Sequence, residues 1–460
     1  MEIEFVGAAR EVTGSCHLLR VGGRTVALDC GLFQGRREAT REKNETLPAP
    51  VESLDAVVLS HAHIDHSGRL PVLAAHGFAR TIWATAATRD LCGPMLADAA
   101  HIQEKDVEFL QRHGRPAAPP LYRMADAARA TALITGVPYG QWFDVAPGMR
   151  ASFVDAGHIL GSASVLVDCE EGGRTRRVVF SGDIGRPGMP IIRDPVAPTG
   201  AHVVIMESTY GDRDHGPLAD SREELGRVIR ETAARGGKVL IPAFAVGRTQ
   251  ELLYDLHALR EAGKVPPVPV FIDSPLATEI TQVFERHPEI FDASEPMVRT
   301  GDDFLSFAGL TFTRTVEESK ALNALRVPAI IIAASGMAES GRILHHLANG
   351  AGDPKNAILI VGYQAEHTLG RRIVERRPVI TVYGEEVPLR ARVEVLNGYS
   401  AHADRTGLRD WLRAVRAGSP DLERVYLVHG EPPAQDALSA LLEQDGFRVS
   451  CPAPRTRVPL

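Results

Sequence analysis

The chain has 460 residues, with 51 Lys and Arg against 58 Asp and Glu and a formal net charge of −7. Hydrophobic residues at 44% and charged residues at 24% exclude disordered, collagen-like and disulfide-scaffold classes and indicate an ordinary globular protein. The acidic balance argues against a general nucleic-acid coat protein, so a polyanionic substrate would need a local positive site.

The amino terminus, Met1-Glu-Ile-Glu-Phe-Val-Gly, lacks the apolar core of a secretory signal. No stretch approaches the ~20 apolar residues of a membrane span, so no membrane partner is expected. Five scattered cysteines without a C-x-x-C pair point to reduced thiols and a cytoplasmic location. Ile3–Val6, Cys16–Val21 and Thr25–Asp29 read as strands separated by turns at Gly14 and Gly22-Gly23. The charged stretch Arg36–Glu45 reads as a solvated loop. A buried strand, Ala56–Leu59, runs into a His-rich loop, and helices are expected over 86–113 and 124–135 with Pro116–Pro120 between them.

Strands return over about 150–207. Ser221-Arg-Glu-Glu224 then has capping-box spacing, and Leu225, Val228, Ile229 and Thr232 recur at helical spacing behind it. Strands at 239–241, 268–273, 327–334 and 357–361 alternate with helices at 248–261, 276–286, 341–348 and 368–376. That rhythm specifies an α/β class with a largely parallel sheet covered by helices on both faces. Strand character resumes after about 385, in Leu389–Leu396 and Arg424–Val428.

The strongest chemical signal is His61-Ala-His63-Ile-Asp65-His66, directly after Ala56–Leu59. Residues two apart in an extended segment face one side, so His61 and His63 can grip one ion. The turn that must follow swings Asp65 and His66 toward a second position, and this donor mixture suits zinc or a similar borderline metal. Six residues cannot complete two sites. Further strand ends lead to His158, Asp183 and His429, and three more runs end in Asp29, Glu207 and His402. Each taken singly is weak, since a lone His after a strand is more often structural; together they fit a site gathered at carboxyl strand ends.

With Asp29, His158 and Asp183, the His61–His66 cluster resembles the metallo-β-lactamase fold, a four-layer αββα sandwich. Glu207 in Glu-Ser-Thr-Tyr-Gly, His402 in Ser-Ala-His-Ala-Asp and His429 in Val-His-Gly-Glu resemble the three additional motifs of its β-CASP nuclease branch. The likeness is closest to bacterial and archaeal ribonucleases similar to the catalytic subunit of the eukaryotic pre-mRNA cleavage and polyadenylation machinery. It implies a metallo-β-lactamase domain in two parts, 1–207 and 386–460, around a Rossmann-like β-CASP domain at 208–385.

The resemblance also implies two Zn²⁺ per chain. It gives His61, His63 and His158 to one, Asp65, His66 and His429 to the other, and makes Asp183 the bridge. Two dications against two aspartates leave a positive centre that attracts a phosphodiester despite the net −7. It counts Asp65, His402, Glu207 and Asp29 as catalytic: His402 as general acid oriented by Glu207, Asp29 positioning a ligand or its loop. Water activated between the metals then attacks phosphorus and leaves a 5′-phosphate and a 3′-hydroxyl. His429 favours RNA, because DNA-processing members typically carry Val at the third motif. The expected partner is single-stranded RNA, with endonuclease and 5′-exonuclease activity both open.

For substrate holding, the Ile330–Met337 strand enters a small-residue loop at Ser335 and Gly336 whose backbone N–H groups can hold a phosphate; an ordinary tight turn fits equally. Arg248, in Val246-Gly-Arg248, is a similar and weaker candidate. Adjacent His345 and His346 point apart on a helix and read as packing or surface residues. His367 stands where relatives more often show Gly and receives no role. A DNA nuclease, a small-molecule metallo-hydrolase and a non-catalytic RNA-binding scaffold are the alternatives, and the oligomeric state is open, a homodimer included.

Overall fold

The computed structural model describes residues 1–460 except Arg36, His113, Arg115, Asp302, Tyr363, Ala365 and Glu366, and for Arg37, Glu38, Ala39 and Asn397 the backbone only. The chain forms two compact units, one of Met1–Gly188, Arg193–Asp214 and His402–Leu460, the other of Met189–Ile192 and His215–Ala401. Among the described residues no helix is long and apolar enough to cross a membrane, and the five cysteines are free thiols.

In the first unit two seven-stranded sheets stack face to face. Side chains such as Phe5, Leu19, Leu28 and Val58 from one sheet and Phe153, Val165, Val178, Ile205 and Val428 from the other fill the space between them, all at most 2% exposed. Two amphipathic helices, Arg405–Ala417 and Pro432–Gln444, cover the outer face of the second sheet. Their Leu408, Trp411, Leu412, Leu438 and Leu442 pack on Leu166, Val179, Val204 and Met206. Ala86–Arg112 is helical as expected, with the expected last residue, His113, outside the described residues, whereas the helix expected over 124–135 stops at Ala132 because Ile134–Gly136 joins the sheet as a strand beside Ile82–Ala84. The result is the αββα sandwich.

Strand direction places the site. In the first sheet Arg24–Leu28, Ala56–Val58, Ile82–Ala84 and Ile134–Gly136 run parallel. In the second, Arg174–Phe180, Val203–Glu207 and Arg424–Val428 do the same. Each set therefore delivers its carboxyl ends to one edge.

The second unit carries a six-stranded sheet in which every pairing is parallel, in the order Leu310–Phe312, Val270–Ile272, Ala329–Ala333, Lys238–Pro242, Ala357–Ile360, Arg392–Val395. The intervening helices, including Arg248–Glu261, Pro275–Arg286 and Ile343–Gly350, agree with the spacing to within a few residues.

Two further sequence expectations change, and the compact units divide the chain at other points than the expected domains. The Arg36–Glu45 stretch contains a helix, Arg37–Glu45, whose Asn44 side chain clasps the backbone N–H and C=O of Phe33. The helix assigned to Ser221 begins at Leu218, so Ser221 is a buried residue inside it and not a cap. The boundaries read at 207/208 and 385/386 differ from those of the compact units. Asp214 accepts the Thr406 N–H at 3.0 Å and stays with the first unit, while Arg392–Val395 extends the parallel sheet of the second.

That second unit is pinned by a buried carboxylate. Asp273 accepts bonds from Thr313, from Ser319 Oγ at 2.5 Å, and from Arg342 and His346 at 2.7 Å. Burial raises its pKa, yet these donors, His346 first, hold it well below the usual carboxylate range. Asp273→Ala strands a buried His and an Arg and is expected to cost about 3–5 kcal/mol in urea denaturation at neutral pH. Because the folded pKa is depressed, this stabilisation is present above the unfolded pKa near ~3.9 and fades as pH falls below it.

Candidate metal centre

The His61–His66 loop follows strand Ala56–Val58 and turns through the short helix Ile64–Ser67. Backbone bonds strap it down: Ser15 N–H to Asp65 O, Cys30 N–H to His66 O, and Leu32 N–H to Ile64 O, at 2.8–2.9 Å. Gly31 makes this approach feasible, since a Cβ there would lie 1.6 Å from Asp65 O. Two site residues, Asp29 (φ 61°) and His429 (φ 48°), hold left-handed backbone that a non-glycine residue adopts at a cost.

Seven side chains converge. Ligand atoms of His61, His63, His158 and Asp183 lie within 4.8 Å of one another, as do those of Asp65, His66 and His429. Ring nitrogens meet without an intervening proton acceptor: His61 Nε2 and His63 Nδ1 at 3.2 Å, His63 Nδ1 and His158 Nε2 at 3.1 Å, His66 Nε2 and His429 Nε2 at 3.1 Å. Asp183 spans both groups. One oxygen faces His61 and His158 at 3.4 and 3.6 Å, the other His66 and His429 at 3.3 and 3.6 Å.

This donor set fits zinc. Asp183 Oδ1 is buried and has no hydrogen-bond partner among the described residues, a costly state unless a cation faces it. Burial, the largest influence on His61, His63 and His158, lowers the pKa of each, His63 to about 3, leaving neutral rings with lone pairs to offer. Burial pushes the other way on Asp65 and Asp183, but the imidazoles facing them, His429 first, hold both below the usual carboxylate range. Asp183, Glu207 and His429 form a third grouping, but Glu207 already accepts the Ile184 N–H at 2.6 Å and the Thr209 hydroxyl at 2.6 Å. Its oxygens are committed elsewhere.

Asp29 is fully buried behind the ligands. Its carboxylate accepts His66 Nδ1–H at 2.6 Å, Ser60 N–H at 2.7 Å, and the Ser60 and Ser15 hydroxyls at 2.9 and 3.0 Å. This leaves His66 Nε2 as the metal-facing nitrogen. His402 presents Nδ1 to both Glu207 oxygens, at 3.1 and 3.2 Å, and lies 3.9 Å from Asp183. Burial lowers the His402 pKa, but the Glu207 and then the Asp183 charges raise it further, to about 9. The shift favours the protonated imidazole at neutral pH, in contrast to His61, His63 and His158.

Two contributors escaped the sequence reading. Ser60 Oγ touches His61 Nδ1 at 3.1 Å as well as Asp29, and Thr209 Oγ1 donates to Glu207 while lying 3.1 Å from His429 Nδ1. Their only sequence signal is a hydroxyl beside a candidate ligand or carboxylate, which is too common to single out.

In the second unit, Ser335 Oγ accepts the N–H groups of Glu339 and Ser340 at 3.1 and 3.4 Å, tying its own loop. Gly336 lies against Phe244, whose ring is 2.6 Å from where a Gly336 Cβ would sit and 40% exposed. Phe244 was not marked by any motif. Arg248, the weaker candidate for holding phosphate, is 7% exposed, pairs with Glu251 and stacks over Tyr399. The internal carboxylate draws the guanidinium inward. His346 is buried on Asp273, and His345 Nε2 meets Tyr383 Oη at 3.0 Å. His367 holds φ 70°, the region Gly occupies freely, which gives a backbone reason for Gly at that position.

Comparison with known proteins agrees with this architecture. Residues 9–242 match the Metallo-beta-lactamase superfamily, 249–373 the Beta-Casp domain, and 386–452 the Zn-dependent metallo-hydrolase RNA specificity domain. The chain is 40% identical to Ribonuclease TTHA0252 of Thermus thermophilus over 98% of both chains. It is 34% identical to Transcription termination factor FttA of Pyrococcus horikoshii over 99% of this chain and 70% of that one. A protein of unknown function from Enterococcus faecalis V583 has a similar fold, with a TM-score of 0.56 at 13% identity, covering 100% of this chain and 99% of that one. The chain belongs to the metallo-beta-lactamase superfamily of metal-dependent hydrolases, in the branch that carries a Beta-Casp domain and a Zn-dependent metallo-hydrolase RNA specificity domain.

Proposed function

We propose that the chain is a two-zinc ribonuclease that hydrolyses single-stranded RNA in the cytoplasm. The observation that carries this reading is Asp183 with one oxygen toward each ligand group, beside a protonated His402 held on Glu207. Full-length similarity to a protein named a ribonuclease supports RNA as the substrate; the FttA relative extends well beyond the matched region.

His61, His63 and His158 would hold one zinc, Asp65, His66 and His429 the other, with Asp183 shared. When bound, the metals lower the pKa of a water and offset phosphate charge. Everything else is done by the protein's own groups. Glu207 occupies His402 Nδ1, so Nε2 carries the proton that passes to the departing 3′-oxygen as the P–O3′ bond breaks. Water supplies the new P–O bond, so the products end in a 5′-phosphate and a 3′-hydroxyl. Asp29 fixes the tautomer of His66, and Thr209 steadies Glu207 against His429. On the second unit, the Ser335–Gly336 loop, whose Ser335, Glu339 and Ser340 N–H groups are spent within it, packs against Phe244, and that exposed ring offers a face on which a base stacks.

The test offers zinc-loaded protein end-labelled single-stranded RNA, the matching DNA and a thioester. RNA is expected to be cut best, and Phe244→Ala is expected to raise KM about tenfold with kcat held. Hydrolysis of the thioester alone would replace this reading with a small-molecule hydrolase, and RNA binding without cutting would replace it with a scaffold.

A further inference from the structure

The amino-terminal edge of the parallel sheet in the second unit contains a polar hollow of ≈ 180 Å³. Its position follows from the topology. Lys238 opens strand Lys238–Pro242, Arg326 and Val327 precede Ala329–Ala333, and Asn356 precedes Ala357–Ile360. Ser335, Gly336 and Phe244 follow the opposite, carboxyl ends of two of these strands. The hollow is therefore separate from the loop assigned to RNA, and nothing in the proposed hydrolysis uses it.

Three cations, Lys238, Arg326 and Lys355, line it against one carboxylate, Asp353. The Lys238 ammonium donates to the carbonyls of Leu322 and Asn323 at 2.8 and 3.0 Å, which anchors it with two of its three N–H groups. Among the described residues neither the Arg326 guanidinium nor the Lys355 ammonium has an ion-pair partner. Asp353 spends one oxygen on the Lys355 backbone N–H at 2.9 Å. Buried His346, bonded to Asp273 and Asn323, and Asn356, bonded to Lys238 N–H and Gly350 O, form rigid walls.

We propose that this hollow binds a phosphate group. A planar guanidinium fork beside two ammonium point charges matches the oxygens of a multiply charged phosphate better than a single carboxylate. The like charges also repel: burial first, then Arg326, lowers the Lys238 pKa. An anion between them removes that repulsion, so the arrangement favours occupancy. The phosphate comes either from a free phosphate compound or from an RNA backbone remote from the cut.

The experiment titrates pyrophosphate, at fixed ionic strength, into the zinc-loaded full chain by calorimetry. Two classes of site are expected, one at the metal centre and one in the hollow. Arg326→Glu is expected to weaken the second class about tenfold or more while RNA cleavage of short substrates is unchanged. Arg326 and Lys355 are exposed, so Arg326→Glu and Lys355→Glu leave the fold intact where Lys238→Met, which strips two helix-end carbonyls of their donor, risks unfolding. Long single-stranded RNA losing affinity in step with pyrophosphate identifies the backbone as the source; RNA affinity holding while pyrophosphate weakens identifies a free compound. A single class of site in the wild type, or two classes that both survive Arg326→Glu and Lys355→Glu, overturns the proposal.

Discussion

Asp183→Ala is expected to yield a folded protein that no longer cleaves RNA and no longer retains its full zinc. Each Asp183 oxygen faces a different ligand group, His61 and His158 on one side and His66 and His429 on the other. No other carboxylate among the described residues is placed to replace it, since Glu207 is committed to Ile184, Thr209 and His402. Loss of several kcal/mol of charge stabilisation, at ~1.4 kcal/mol per decade of rate, corresponds to at least about 10³-fold in kcat/KM. On the proposed two-zinc reading, zinc should fall from two per chain toward one or fewer by elemental analysis, with the circular-dichroism spectrum unchanged. Retention of both metals and near-wild-type cleavage would remove the bridging role and the mechanism built on it.

The second large effect belongs to His402. His402→Ala is expected to keep its zinc yet cut RNA about 10²–10⁴-fold more slowly, the range for a lost general acid. The two variants separate by their leaving-group dependence. A phosphodiester whose leaving group departs without a proton, such as a p-nitrophenyl ester, should be hydrolysed by His402→Ala almost as fast as by the wild type. Asp183→Ala should fail on both. Glu207→Gln should give an intermediate loss of about 10–100-fold, because Glu207 orients and charges His402 and does not itself transfer the proton. Equal slowing of the activated ester and RNA in His402→Ala would assign His402 to metal or substrate positioning.

The helix–strand alternation from about 238 to 376 was legible in the sequence because each buried parallel strand is a short apolar run bounded by turn residues, and each helix shows its own spacing. The Arg37–Glu45 helix was not, since it has no apolar stripe and is held through Asn44. The second-unit boundary shifted for a similar reason: the solvent-flanked edge strand Arg392–Val395 looks alike whether it pairs with one sheet or another, and only its parallel register with Ala357–Ile360 decides.

At the site, the amino-acid order marked the candidates, because His61, His63, Asp65 and His66 crowd six positions and His158, Asp183 and His429 each follow a strand, while the division into donors and supporting residues rested on the family resemblance. Local chemistry of that kind survives in one dimension. What needed three dimensions was the burial that neutralises three imidazoles while Glu207 keeps His402 charged, the second role of Thr209, and the inward turn of Arg248. It also needed the meeting of Lys238, Arg326 and Lys355, which come from three separate approaches to one sheet edge. Charge, desolvation and exposure are sums over neighbours that are remote along the chain, so they exist only once the sheets have assembled.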